Sequence, residues 1–367
     1  MGFDHKHYVP ILKAKAGELR ALREAAGAVR TGMTPVLEIQ DIPPKWIEGE
    51  EDPVPSKSID AHVKSVSDNI VKNWGTERRV FIDGVGVEQD ENLEDGREPI
   101  AAMLDMLRDG GVKAIPVAGI DRLAEYNTAV RDAAAEDGRG VCLRLTEDDL
   151  EADDLDGQIK ALRKFLKVST GKIDLLVDFG GQVPPKSTLV PLLNALPELD
   201  EWRSLTLSAC AFPPDMSNVG QFSTEELSRE EWLNWTHARS RIDKLKRMPT
   251  YSDYGINYPS VGEMDPRQMR MSANIRYTWA TAFVVAKGEA LPRTKDKTKK
   301  QPAKQQYPAL AKAIMKHPAW CGPLFSWGDA FIAKCANGDC VGNGTDWRAV
   351  GTSHHLAYVV QQIANLP

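Results

Sequence analysis

The chain reads as an α/β protein, a (β/α)8 TIM-like barrel with a smaller C-terminal α+β appendage, and three observations predict this. One grammar recurs at a spacing of roughly 30 to 45 residues, the size of a βα repeat: an amphipathic helix, a short apolar strand, a polar residue at its tip, then Gly or Pro. The strands are continuous apolar runs, as in Lys172-Ile-Asp-Leu-Leu-Val-Asp178 ahead of Gly180 and Gly181, which implies burial on both faces and a parallel sheet covered by helices. Eight such repeats fit in about 255 of the 367 residues, the length of a (β/α)8 barrel. An open doubly wound sheet is the alternative, disfavoured because no strand enters a Gly-x-Gly-x-x-Gly turn.

The first strand is Tyr8–Leu12, which delivers Lys13 and Lys15 ahead of a helix over Gly17–Ala26 with Leu19, Leu22 and Ala26 on one face. Lysines at the carboxyl end of such a strand stand where α/β proteins keep ligands; a solvated loop is the plain alternative. The second strand, Met33–Ile39, ends in Glu38 and is followed by an acidic insertion, Glu48–Lys57, and a helix over Ile59–Asn73. The third, Arg79–Asp83, stops at Gly84 with Asp83 at its tip.

A helix over Ile100–Asp109 leads to the fourth strand, Ala114–Ala118, where Pro116 removes a ladder hydrogen bond. After a helix over Arg122–Glu136, the fifth strand, Gly140–Leu145, carries Arg144 inside an apolar run. A guanidinium there is paired or faces a ligand, because leaving it buried alone is too costly. A helix over Leu155–Val168 precedes the sixth strand with Asp178, and a helix over Thr188–Leu196 precedes the seventh, Ser204–Ala211. A helical segment over Glu225–Lys246, with Trp232, Trp235 and His237, leads to the eighth strand, Pro249–Gly255, which contains Asp253.

The barrel is thus expected over 1–258 and the appendage over 259–367, packed near the barrel mouth. The appendage reads as a strand through Arg270–Ala280 leading into Thr281–Ala286, an exposed lysine-rich loop (Arg293–Lys304), and a helix over Tyr307–Lys316. It ends with Ser353 as the cap of a last helix over Leu356–Leu366.

In a barrel, Lys13, Lys15, Glu38, Asp83, Arg144, Asp178 and Asp253 converge on one mouth, with Arg276, Tyr277 or His354 closing one side. Glu38, Asp83, Asp178 and His354 are the catalytic candidates. Lys13, Lys15, Arg144, Asp253, Arg276 and Tyr277 are the ligand-binding ones. An anion grip beside paired carboxylates suits phosphoryl, phosphodiester or carboxylate substrates. Glu38, Asp83 and Asp178 offer hard oxygen ligands for Mg²⁺, or else form a structural charge network with Lys13, Lys15 and Arg144.

His354 and His355 diverge by about 100° on a helix, so at most one reaches a site. Cys321, Cys335 and Cys340, with His354, match a zinc site only loosely, and free thiols are the simpler reading. The run Lys295–Lys304 lacks interleaved aromatics and reads as a solvated loop rather than a phosphate contact.

A net charge of -6 and a pI near 5.8 give no global attraction to nucleic acid and leave only a local basic groove open. No apolar run approaches the ~20 residues that span a bilayer, and the N-terminus carries no signal-peptide apolar segment. The expectation is a cytoplasmic protein, away from membranes, whose partner is a small anion, a nucleotide or another protein.

Three stretches carry a resemblance: Tyr8-Val-Pro-Ile-Leu-Lys-Ala-Lys-Ala-Gly-Glu-Leu19, Asn274-Ile-Arg-Tyr-Thr278 and Trp347-Arg-Ala-Val-Gly-Thr-Ser-His-His355. In these the chain resembles the phage and bacterial "beta protein" family over nearly its whole length, and more distantly proteins that accompany small nucleases in bacterial genomes. The resemblance implies a phage or prokaryotic source and a role in phage–host conflict; it implies no reaction and no catalytic residue. The residues add the expectation of an anionic ligand hydrolysed as a phosphoester. The alternative is a non-catalytic module that binds a nucleotide signal or a partner protein.

Overall fold

The computed structural model describes residues 2–47, 52–259, 272–290 and 302–366, with side chains of the helix Pro302–Lys316 described from residue 305. The lysine-rich run at 293–301 and the acidic residues 48–51 lie outside the described residues.

Eight parallel strands close into a ring in chain order: Tyr8–Lys13, Val36–Glu38, Arg79–Asp83, Lys113–Ala118, Val141–Leu145, Ile173–Asp178, Ser204–Ser208 and Thr250–Asp253, the last pairing with the first. This is the closed (β/α)8 barrel. Pro116 is kept within the fourth strand, opposite Ile82.

Alternation along each strand sorts side chains into two cores. Val9, Ile11, Val36, Phe81, Ile115, Val117, Cys142 and Leu176 fill the lumen. Tyr8, Leu12, Leu37, Ile82, Leu143, Val177 and Tyr251 point outward, against the helices.

Seven helices follow the first seven strands: Ala16–Glu24, Ile59–Trp74, Pro99–Asp109, Ala124–Asp137, Leu155–Leu166, Lys186–Ala195 and Glu230–Arg239. The helix that belongs after the eighth strand arrives last in the chain. Gly344–Ala364 packs on Ala16–Glu24 and the first strand, and its Leu356, Val359 and Ile363 lie in the same core as the barrel's outward face. The segment between is an insertion. The boundary expected at 258 therefore separates the eighth strand from the helix that covers it.

Within the insertion, Ser272–Trp279 and Ala282–Ala290 form an antiparallel hairpin, and Thr224–Ser228, expected inside a helix, adds a third strand to it. The helices Pro302–Lys316 and Trp327–Ala336 cover that sheet around Tyr277, Ile314, Ile332 and Trp347. The last helix begins ten residues earlier than the Ser353 cap would place it, with Asn343 as cap and Asp346 closing a capping box. Among the described residues no helix is long and apolar enough to cross a membrane.

Candidate functional site: the barrel mouth and its rim

Glu38, Asp83, Arg144 and Asp178 are strand-end residues of inward parity, so the barrel brings them together above the lumen. Arg144 is their centre. Its Nη1 donates to Asp83 (2.6 Å), its Nε and Nη2 to Asp178 Oδ2 (2.9 and 2.6 Å), and its Nη2 lies 2.9 Å from Glu38 and 2.6 Å from the Tyr254 hydroxyl. Asp83 turns its other oxygen to Arg122, which also holds Glu88 (both 2.7 Å).

Of the two readings open to Glu38, Asp83 and Asp178, Mg²⁺ ligands or a structural charge network, the contacts form the network: the cation they hold is the Arg144 guanidinium. Among the described residues no three His, Cys, Asp or Glu side chains are grouped for a metal ion. Burial pushes the Glu38 carboxyl above its ordinary range, with Arg144 opposing and Asp83 and Asp178 adding to the rise.

Tyr254 is part of this hub and Asp253 is not. The eighth strand points Tyr251 and Asp253 outward and Tyr254 into the lumen. Asp253 sits beneath the last helix, where Tyr8 (2.5 Å), Tyr251 (2.8 Å) and the Gly255 N–H (2.9 Å) donate to it and His355 Nε2 lies 3.1 Å away. After Tyr254 the loop crosses the mouth. Gly255 takes a left-handed turn (φ 63°), and the Tyr258 ring lies over Gly181 so closely that a Cβ there would be 2.2 Å from its hydroxyl.

A second cluster stands at the rim, where the first strand, the first helix, the hairpin and the last helix meet. Lys13, beside Glu38 in strand register, is 9% exposed. Burial lowers the pKa of its ammonium, and Lys15 and Arg348 lower it further. Arg276 donates from Nη1 to the Ile256 carbonyl (2.7 Å) and from Nε to Asn274 (3.2 Å), with Nη2 left over, and stacks over Phe212; burial, then Arg348, bring it down to about 9. The Arg348 stem crosses Gly17, where a Cβ would come within 2.8 Å of Arg348 Cγ. The acid among them is Glu18, buried, bonded to Asn257 (3.0 Å) and raised by desolvation. Among the described residues, no carboxylate lies within ion-pair distance of Lys13, Lys15, Arg276 or Arg348.

The structure thus gathers Lys13, Lys15 and Arg276 at the rim and Glu38, Asp83, Arg144 and Asp178 at the hub. Three expected site residues lie elsewhere. Tyr277 alternates with Arg276 and faces the opposite side of the hairpin, where its hydroxyl donates to Asp329 (2.7 Å). His354 stacks on Tyr277, with Nδ1 2.9 Å from Asp329 and Nε2 2.8 Å from the Thr278 carbonyl. Both histidines are fully buried in mid-helix, and neither reaches the mouth. With Asp253 they form a buried polar seam that fastens the last helix.

Cys321, Cys335 and Cys340 are free thiols, the simpler of the two readings: Cys321 lies by the Tyr277 hydroxyl, and Cys335 and Cys340 neighbour each other. Glu18, Tyr254 and Arg348 were missed. Arg348 adjoins Trp347 in one of the distinctive stretches, and Tyr254 follows from extending the eighth strand's alternation by one residue.

Fold and site define a (β/α)8-barrel protein whose mouth holds a buried arginine hub beside a cationic rim. Within that class, the chain belongs to the Beta protein family, which matches residues 8–361. No curated protein matches it. Among solved structures it is similar to a mutant tryptophan synthase alpha-subunit from Pyrococcus furiosus, at 12% identity over 68% of this chain and 87% of that one, with a TM-score of 0.39. It is also similar to the carboxyl transferase domain of Rhizobium etli pyruvate carboxylase with pyruvate, at 8% identity over 99% of this chain and 50% of that one, TM-score 0.39. The barrel assignment rests on the strand ring rather than on these likenesses.

Proposed function

We propose that this is a phage- or prokaryote-associated cytoplasmic protein, acting in phage–host conflict, that binds an anionic, phosphorylated or nucleotide-like ligand at the rim of its barrel mouth. One observation carries the reading: four cations, Lys13, Lys15, Arg276 and Arg348, gather at the rim, where among the described residues the acids beside them are Glu18 and, next to Lys13, Glu38. Like charges held together and partly desolvated are unfavourable, and a ligand anion relieves both terms. The phage or prokaryotic setting is what the resemblance in the three distinctive stretches implies, and five free thiols fit a reducing cytoplasm.

Arg144 has a different role from the one expected of it. Its donors are already taken by carboxylates and a phenol, so the grip falls to the rim rather than to the hub. Hydrolysis of the ligand is a second reading, favoured by the Glu38 carboxyl, which burial pushes above its ordinary range against the pull of Arg144 and which stands beside Lys13 at the mouth.

The test is a panel of nucleotides and their nucleosides, read by thermal shift and then by product analysis. A rise in melting temperature with the phosphorylated members alone supports the binding module. A product that disappears in Glu38→Gln supports the hydrolase. A panel in which no phosphorylated compound stabilises the protein beyond an equal ionic strength of sodium chloride would falsify both, leaving a protein partner as the occupant to seek.

A further inference from the structure

The rim also selects among anions, and this inference rests on the reading just given. Lys13 is nine-tenths buried, and among the described residues its ammonium has neither a hydrogen bond nor an ion pair. Burial lowers the pKa of that ammonium, and Glu38 and Glu18 offset this only in part, so an anion that reaches it meets a charge the chain compensates incompletely. It stands by the start of the helix Ala16–Glu24, whose cap residue, Lys15, makes no side-chain capping bond. The Glu18 carboxylate accepts from its own backbone N–H in the first turn, which leaves the other first-turn N–H groups without an intrahelical acceptor at the positive end of the helix. Arg348 reaches the same helix end across Gly17, and Arg276 comes from the hairpin, its carbonyl pressed beneath Gly351 of the last helix. Donors therefore approach from the strand tip, the helix end and the C-terminal elements, in three separate directions.

A group with three oxygens on one centre and up to two charges meets such donors; a phosphodiester offers two free oxygens and one charge, a carboxylate two oxygens in one plane. We propose that the seam between the first and last helices is a site for a terminal phosphate, either inorganic phosphate or a phosphomonoester, held by Lys13, Arg348, Arg276 and the first helix's amino end. Glu18, anchored by Asn257, is the acid that offsets these cations when no other anion does. It is a like charge to a bound phosphate, so it limits affinity and disfavours weaker anions.

Isothermal titration calorimetry on the full chain tests this with inorganic phosphate, adenosine 5′-monophosphate and dimethyl phosphate at fixed pH 8 and low salt. Phosphate or the monophosphate should bind, the contrast between them separating a free from an esterified group, and dimethyl phosphate should bind at least ~10-fold more weakly. Arg348→Ala, at a half-buried position, should weaken phosphate by ~10-fold or more, and it reads the site even where Lys13→Ala fails to fold. Glu18→Gln, which keeps shape and removes the like charge, should tighten it several-fold. Dimethyl phosphate binding as tightly as the monophosphate, or Arg348→Ala and Glu18→Gln both leaving affinity unchanged, overturns the terminal-phosphate assignment while the anion-binding reading stands. Binding of none of the three removes both.

Discussion

Arg144 is enclosed by Glu38, Asp83, Asp178 and the Tyr254 hydroxyl, with 11% of its side chain exposed. Removing it leaves three carboxylates facing one another in a lumen with little water. Arg144→Ala should therefore lower the unfolding free energy by about 3–5 kcal/mol, measured by urea denaturation; a loss under about 1 kcal/mol would mean the carboxylates find other partners. This hub was legible in the sequence because a strand-end residue of known parity can face only the lumen or the helices, and Glu38, Asp83, Arg144 and Asp178 all have inward parity. Asp253 has the same look in the sequence but sits on the other phase, and with a period of two a one-residue error moves a side chain across the wall. Tyr251 and Tyr254 held the clue: three positions apart, they cannot share a face of a strand, so one of them had to enter the mouth. Glu18 and Arg348 were beyond such reasoning, since both lie on helices whose rotation about the barrel is set by packing that a single sequence does not display.

At the scale of elements, two segments were misread for one physical reason, that long-range pairing overrode local signals. Thr224–Ser228 contains Glu-Glu-Leu, good helix formers, yet it pairs with Ala282–Ala286 and alternates half-buried with exposed residues as an edge strand does. In the last helix Gly351 looks like a break and Ser353 like a fresh cap. Gly351 is instead mid-helix because a Cβ there would lie 2.6 Å from Ile256 Cδ1 and 2.8 Å from the Arg276 carbonyl. Gly351→Ala should push the helix off the hairpin and destabilise the protein by about 1–3 kcal/mol, visible as a lower denaturation midpoint with unchanged m-value; a midpoint equal to the parent's would show that the seam has slack. The helix Glu230–Arg239 carries a pH signature. Burial pushes the fully enclosed Glu231 carboxyl up to about 7, against the pull of Arg229. A folded pKa above the ordinary 4.5 means that Glu231's contribution is fully present below about pH 4.5 and is lost as pH rises through 7. Asp253, held down at about 2, acts only in strong acid, and His355, lowered by burial, pulls the opposite way below 6.5 in parent and variant alike. Relative to Glu231→Gln, the parent should lose on the order of 3 kcal/mol of stability between pH 5 and 8. Parallel stability profiles for the two proteins would assign the pH dependence to another group.

For the whole molecule, the chain's division into barrel and appendage is the question with the largest consequence. Eight strands are complete by Asp253, so 1–258 looks sufficient by count, yet three dependencies cross that boundary. The outward faces of Tyr8, Leu12, Leu19 and Leu22 share one core with Leu356, Val359 and Ile363. Asp253 relies on His355, and Thr278 joins both histidines through its hydroxyl (2.7 Å to His355 Nδ1) and its carbonyl (2.8 Å to His354 Nε2). The strand Thr224–Ser228 has its ladder partner in the hairpin. A chain cut at 258 would expose the seam between the first and eighth strands and leave a buried carboxylate short of a partner, a combination that costs more than the marginal stability of a typical domain. Residues 1–258 alone should therefore show no cooperative melt, with poor amide dispersion in their NMR spectrum. Adding 259–367 in trans should restore both, because the missing piece is a covering helix and its hairpin rather than any strand of the ring. If 1–258 melts cooperatively as a monomer within a few degrees of the full chain, the last helix is an addition to a finished barrel. The rim formed by Lys13, Arg276 and Arg348 would then be a contact between two independent units. If it does not, the rim is built into the closure of the barrel, and a ligand bound there should raise the stability of the whole chain by RT ln(1 + [L]/Kd), about 2.7 kcal/mol at a hundredfold excess over Kd.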